Sequence, residues 1–395
     1  MKPYTIINCI LQTILSEEVP YEVDHLMFDD NIRWLPEQDN LVYSKFSLHD
    51  KEYYDYKKRT WRDIYKDNNS TRLDSNTGNK AKYRILPHLI DHSYEPIDLL
   101  LDKELWDPQY KNNRRWPRSS FESGNNPDYK YDNYKPEDYP LFVLHSEHNS
   151  KDIEQLDKWT YKPIHWFSHA YLCSEFYFKH YPKLNIVTDY TARPIRNKWI
   201  CANRLLRQHR VDLLEQIDLN EGCYSLLNPD PNGQIYSGSV ASNSFDEHNN
   251  SSAEIDIRGL NNWNTAFLHV VSETIWQDKI HFTEKIFKPI ILHQPFVVLQ
   301  APGSLEYLKS YGFKTFDKWW DESYDAIQDP TERLKCIAKI IDNIGNKSIS
   351  ELETLRLEMA SVLEHNFRHF YENIPAIVLE ELRTNIKAST SLLFP

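Results

Sequence analysis

The chain predicts an α/β protein made of two Rossmann-like halves that face a cleft and are closed by C-terminal helices. Three observations carry this expectation. From Leu141 onward short apolar runs alternate with helix-length stretches, the alternation restarts after Pro194, and from Thr331 only helical periodicity remains. A length of 395 residues, 40% of them hydrophobic, is enough for two cores.

Taken in order, Tyr4 to Leu15 is apolar but broken by Asn8 and Gln12, and it is too short to span a membrane. No other stretch reaches the length of a span, so a soluble, cytoplasmic protein is expected. Residues 16 to 140 carry few sustained periodicities, and 107–140 reads as a long loop. The first α/β rhythm then has strands at Leu141 to Leu144, Ile164 to Trp166 and Leu184 to Thr188, with helices at 150–158 and 170–180 between them. The second has strands at Lys198 to Ala202, Ala266 to Val271 and Phe296 to Leu299, and helices at 206–217, 284–292 and 304–310. Long helices follow at 331–344 and 350–366. The expected borders are 1–192, 193–375 and a helical tail at 376–395. Parallel strands follow from the rhythm, and ligands of such sheets lie at the carboxyl ends of the strands.

Composition narrows the chemistry. Only 9 glycines are present, with no G-x-G-x-x-G and no P-loop; Gly233, Gly238 and Ser239 come nearest but lack the lysine. Any phosphate must therefore be held mainly by side chains. Aromatic residues make up 13% of the chain, with 25 Tyr and 11 Trp, a content that suits stacking on ring-shaped ligands and equally suits loop-rich surfaces. A net charge of -12 argues against general affinity for nucleic-acid backbone. The 5 cysteines form no C-x-x-C pair, which fits a reducing compartment and no thiolate zinc site.

Charge is segregated in one window. Residues 191–210 hold Arg193, Arg196, Lys198, Arg204, Arg207 and Arg210 and no acid. The window lies at a strand-to-helix turn, where backbone N–H groups add positive potential, so a diphosphate site and a solvated basic face are both physically natural. Farther on come Ser272-Glu273-Thr274 and Phe282-Thr283-Glu284-Lys285. Thr283 fits an N-cap and Glu284 the first turn of a helix. The functional alternative has Lys285 on a phosphate and Glu284 accepting from sugar hydroxyls.

The stretch Ser272 to Phe316 resembles the donor-binding segment of the α1,3-fucosyltransferase-like glycosyltransferases, and the chain is similar to glycosyltransferase-like proteins of large bacteriophages in its N-R-x-x-R-x-H-R, H-S-E and F-T-E-K blocks. The likeness covers roughly residues 140 to 330. It implies a GT-B-like fold with acceptor side in the N-terminal half and donor side in the C-terminal half. It further implies a nucleotide-diphosphate sugar as donor substrate with no cofactor required, held by Arg210, Glu273, Glu284 and Lys285; Arg204 and Arg207 of the basic window, and Thr283 beside the pair, are expected to join them. Thr274 stands where the family has Asn, and the gap to T-E-K is one residue longer.

An inverting transfer needs a base for the acceptor hydroxyl. The family's carboxylate maps onto His145-Ser146-Glu147-His148-Asn149, which makes Glu147 the expected base, with His145 or His169 as alternatives. The acceptor is a saccharide or other hydroxyl compound, or a modified base in phage DNA contacted by Arg114, Arg115 and Arg118; in the phage case the setting is the host cytoplasm. A non-catalytic polyanion-binding or assembly protein on the same fold is the rival expectation. No metal is expected, since His88 and His92 lack an H-E-x-x-H context, Asp230 reads as part of a turn, and Glu254 and Asp256 read as a strand face.

Overall fold

A computed structural model of the protein describes residues 23–25, 83–87, 141–150, 161–184, 189–205, 207–228 and 261–391. The expected loop 107–140 with its three arginines, His88, His92, Asp230, Glu254, Asp256, the Tyr4 to Leu15 stretch, the expected helix 150–158 past Ser150 and the expected strand Leu184 to Thr188 past Leu184 lie outside these residues. The described part is α/β with parallel four-stranded sheets and C-terminal helices. It divides into two compact units, 1–168 with 379–395 and 169–378. The sequence reading draws its first border at 192/193.

Unit 1 carries strands β1 (Val23–His25), β2 (Tyr83–Pro87), β3 (Leu141–His145) and β4 (Tyr161–His165), in that order and all parallel. The register places His145 beside His165 at the carboxyl end of the sheet. Regular helix α1 (Ser168–Leu172) passes into a π turn at Cys173–Tyr177, so the helix expected over 170–180 is shorter than its apolar pattern. Phe178 N–H reaches back five residues to the Cys173 carbonyl at 2.8 Å.

Unit 2 carries β5 (Asn197–Leu205), β6 (Gly222–Asn228), β7 (Ala266–Ser272) and β8 (Phe296–Leu299) in the order β6-β5-β7-β8, again all parallel. Every residue of β7 and β8 is buried, as strands covered on both faces require. Helices α2 (Gln208–Leu214), α3 (Asn262–Thr265), α4 (Glu284–Ile291) and α5 (Ser304–Ser310) connect them or follow β8. Edge strand β6 went unread in the sequence: among its described side chains Cys223, Ser225 and Leu226 are buried, and polar Ser225 at an inward position breaks the apolar run by which a strand is read. Gly222 at its start is there for space: a Cβ would run into the Trp199 ring of the neighbouring strand.

Helices α6 (Pro330–Gly345), α7 (Ile349–Glu372) and α8 (Ile374–Ser391) end the chain. Asp329 caps α6, and Ser348 with Glu351 forms a reciprocal capping box on α7, a device that contributes about 1 kcal/mol. The helix α7 outruns its expected end at Asn366. That amide is buried and pairs with both the N–H and the carbonyl of Lys314 at 2.8 Å, so a polar residue fills a core position. No described helix is long and apolar enough to cross a membrane.

Candidate functional site

In unit 2 the chain order reverses between β5 and β7: β5 leads through α2 to β6 on one side, β7 through α4 to β8 on the other. Such a switch point opens a crevice at the carboxyl ends of the two strands. The segments placed there are Arg207 to Arg210, which opens α2, Ser272 to Thr274 after β7, and Thr283 to Lys285, which opens α4.

The frame of the site is a buried polar knot. Arg210 donates from Nε to Ser272 Oγ at 3.2 Å and from Nη2 to the carbonyls of Ser272 and Glu273 at 3.0 and 3.2 Å. His209 Nε2 adds a bond to the Glu273 carbonyl at 3.1 Å and stacks on Trp276 with ring centroids 5.8 Å apart. Burial first, then Arg210, pushes the His209 pKa down to about 3, so this imidazole stays neutral and acts as a fixed donor. Glu273 is fully buried. Its Oε1 accepts from Thr283 N–H at 3.1 Å and its Oε2 from the Thr283 hydroxyl at 2.7 Å.

Thr283 does stand at the N-cap of α4, as the sequence suggests, yet its hydroxyl does not cap the helix. The oxygen is spent on Glu273 and accepts from Lys285 Nζ at 2.8 Å. Lys285 Nζ also pairs with Glu284 Oε1 at 3.1 Å and lies 3.8 Å from Glu273 Oε2. With a side chain 21% exposed, against 0% for Glu273, Lys285 is the member of the T-E-K block that solvent reaches. Lys288, one turn along α4, is buried, with Nζ 5.0 Å from the centre of the Trp263 ring. Burial lowers its pKa to about 8 against the pull of Glu284.

Arg207 is half-buried beside Arg210, and its Nε has no hydrogen-bond partner. Arg207, Arg210, Lys285 and Lys288 thus outnumber Glu273 and Glu284, and the electrostatic balance of the crevice favours an anion. The six cations of 191–210 do not gather there. Arg193 is buried and donates to the Leu292 carbonyl, Lys198 pairs with Glu221 and the Gly345 carbonyl at 2.5 Å each, and Arg196 is exposed. Arg204 lies on β5, its side chain outside the described residues. A charged run that crosses a turn, a strand and a helix start is distributed by their different periodicities.

Unit 1 presents a second polar group at the ends of β3 and β4. Glu147 is 2% exposed, and its Oε2 accepts from Ser150 Oγ at 2.6 Å across a turn in which Asn149 takes φ 53°. The rings of His145 and His165 meet edge to face at 5.3 Å, and His148 lies 6.4 Å from His165. His165 Nδ1 donates to Glu381 Oε1 at 3.0 Å, and Phe167 N–H donates to Glu381 Oε2 at 3.0 Å. One turn farther along α8, Asn385 donates to the His165 carbonyl at 2.7 Å. Burial, then His165, lowers the His148 pKa. His169, the other proposed base, stacks edge to face on buried His281 at 5.3 Å in unit 2.

Among the described residues no three or more His, Cys, Asp or Glu side chains are grouped to hold a metal ion. Sequence reasoning missed His165, Glu381 and Lys288. Glu381 and Asn385, four residues apart on α8, share a helix face, which is the one signal that pointed to a joint role. Comparison of the chain with protein-family models, curated proteins and solved structures finds no match.

Proposed function

We propose that unit 2 binds the diphosphate of a nucleotide sugar and that the protein transfers the sugar to an acceptor hydroxyl on a GT-B-like scaffold. The observation that carries this reading is the excess of cations at the β5/β7 switch point, with Lys285 reaching solvent above a knot of buried, mutually bonded groups. Lys285 and Arg207 are the groups to meet phosphate oxygens. Arg210, whose Nε and Nη2 are engaged with Ser272 and Glu273, and His209 hold the frame that presents them.

In the transfer the acceptor oxygen bonds to the anomeric carbon as the bond from that carbon to the diphosphate oxygen breaks. The electron pair leaves with the diphosphate, where fixed cations stabilise it, and the acceptor proton passes to a base. The base expected for that proton is Glu147. No metal need enter for leaving-group stabilisation when arginine and lysine neutralise the same charge.

The test is calorimetric titration with GDP, UDP, CDP and dTDP. One of them binds the intact protein, and Lys285→Ala weakens that binding about tenfold or more, the scale of one charge-assisted contact. Equal affinity in the variant overturns the assignment of Lys285. No binding by any of the four, with salt-sensitive binding of heparin or nucleic acid instead, favours a polyanion-binding protein.

A further inference from the structure

Two guanidinium groups lie buried together at the amino end of the unit 2 sheet, and among the described residues neither forms an ion pair with a carboxylate. Arg193 is 5% exposed and Arg356, on α7, is 8% exposed. Arg356 donates from Nη1 to the Arg193 carbonyl at 2.7 Å and from Nη2 to the Thr191 carbonyl at 3.0 Å. Arg193 in turn donates from Nη2 to the Leu292 carbonyl. Main-chain oxygens thus orient both side chains but bring no net negative charge. Arg193 Nε and Nη1 and Arg356 Nε, all donors, are buried without a hydrogen-bond partner. Burial, then Arg356, lowers the Arg193 pKa to about 10, which leaves the group charged at neutral pH.

The surroundings are well fixed and thinly covered. His293, just before β8, takes φ 50°, and its ring is held between Tyr190 at 4.3 Å and Phe367 at 4.2 Å. The acids whose charge is felt here, Asp189, Glu353 and Glu364, are exposed, and Glu364 faces His293 Nε2 at 3.3 Å. Thr191, Ala192 and Pro194 are exposed on either side of Arg193, so the cations lie directly beneath a surface segment.

A buried charge without a counter-charge is costly, and a bound anion offsets that cost. We propose that Arg193 and Arg356 form a second anion site, for one compact oxyanion of the phosphate or sulfate type, held by Arg193 Nε and Nη1 and Arg356 Nε. The site stands apart from the crevice: β5, with 9 residues, spans about 30 Å, with Arg193 before its start and Arg207 after its end. It goes beyond the transfer reading and does not rest on it. An anion there joins the segment before β5 to α7, so binding stabilises the folded chain.

The probe is inorganic phosphate, titrated into the intact protein against sodium chloride of equal ionic strength and followed by thermal unfolding and calorimetry. Phosphate raises the melting temperature by several degrees and saturates, whereas chloride does not. Lys285→Ala, which alters the crevice, keeps the effect. Arg193→Gln weakens phosphate binding about tenfold or more, the scale of one charge-assisted contact. Equal shifts with chloride, loss of the effect in Lys285→Ala, or parent-like affinity in Arg193→Gln each overturns the proposal. A second measurement needs no variant: crystals of the parent protein are soaked in selenate, whose selenium scatters anomalously. A selenium peak beside Arg193 and Arg356 is expected, and its absence there overturns the site. Failure of the nucleotide titration leaves these readouts untouched, so the two readings fail separately.

Discussion

Glu273 and Thr283 form a closed pair in which one buried carboxylate takes both the main-chain N–H and the hydroxyl of the same residue, at 3.1 and 2.7 Å. The pair ties the end of β7 to the start of α4 and so sets where Lys285 emerges. Thr283→Val keeps the shape and the N–H bond but removes the hydroxyl that Glu273 and Lys285 share. A buried acceptor left short of a donor costs roughly 1–3 kcal/mol, and the melting temperature falls by several degrees. An unchanged melting curve contradicts the pairing.

Arg210 gives the second prediction. These three bonds use the planar fork, two of them to the main-chain oxygens of Ser272 and Glu273 at the end of β7. Lysine carries the charge without the fork, so Arg210→Lys destabilises the protein by about 2–4 kcal/mol despite preserving net charge. Thermal unfolding measures it. Equal stability of the two proteins shows that charge alone, and not the fork, holds Ser272 and Glu273.

Lys288 supplies a pH dependence. Its folded pKa is lowered to about 8 by burial, below the ordinary lysine value. Between the two values the unfolded chain keeps the proton that the folded chain has released, so this residue's contribution to stability rises as pH is raised above about 8 and is at its least below it. Lys288→Met, which leaves Glu284 still paired with Lys285, is expected to be more stable than the parent at pH 7 by about 2 kcal/mol, and the advantage shrinks between pH 8 and 10. Melting temperatures across that range decide it; parallel curves for parent and variant refute the assignment.

Gly222 is a test of packing without chemistry. Trp199 is among the largest fully buried side chains, and its ring lies where a Cβ at 222 would stand. Gly222→Ala displaces β6 or the indole and destabilises by about 1–3 kcal/mol, the usual range for overpacking. The double variant Gly222→Ala with Trp199→Leu recovers part of the loss, which circular dichroism follows on heating.

The scarcity of glycine takes a definite meaning in this setting. Gly222 is needed for close approach, and Gly303 for a left-handed turn at φ 83° ahead of α5, so neither serves as an anion cradle. On the proposed reading, side chains of α2 and α4 rather than these glycines meet the diphosphate.

The alternation of apolar runs was enough to place β3, β5, β7 and β8 and the helices α2, α4 and α5, because fully buried strands and amphipathic helices write their environment into local periodicity. The F-T-E-K block was legible for a related reason: it opens the amphipathic helix α4. Three things were decided by tertiary structure alone. The cations of 191–210 look like one patch in the chain, but strand and helix geometry turn Arg193 and Lys198 toward other partners and leave Arg207 and Arg210 at the crevice. Asn366, the expected end of a helix, and Arg210, expected on a diphosphate, are buried because main-chain groups distant in sequence satisfy them. His165 and Glu381 stand 216 positions apart and meet only when the last helix packs on the end of β4, a juxtaposition that no local pattern encodes because hydrogen bonding between distant side chains has no period.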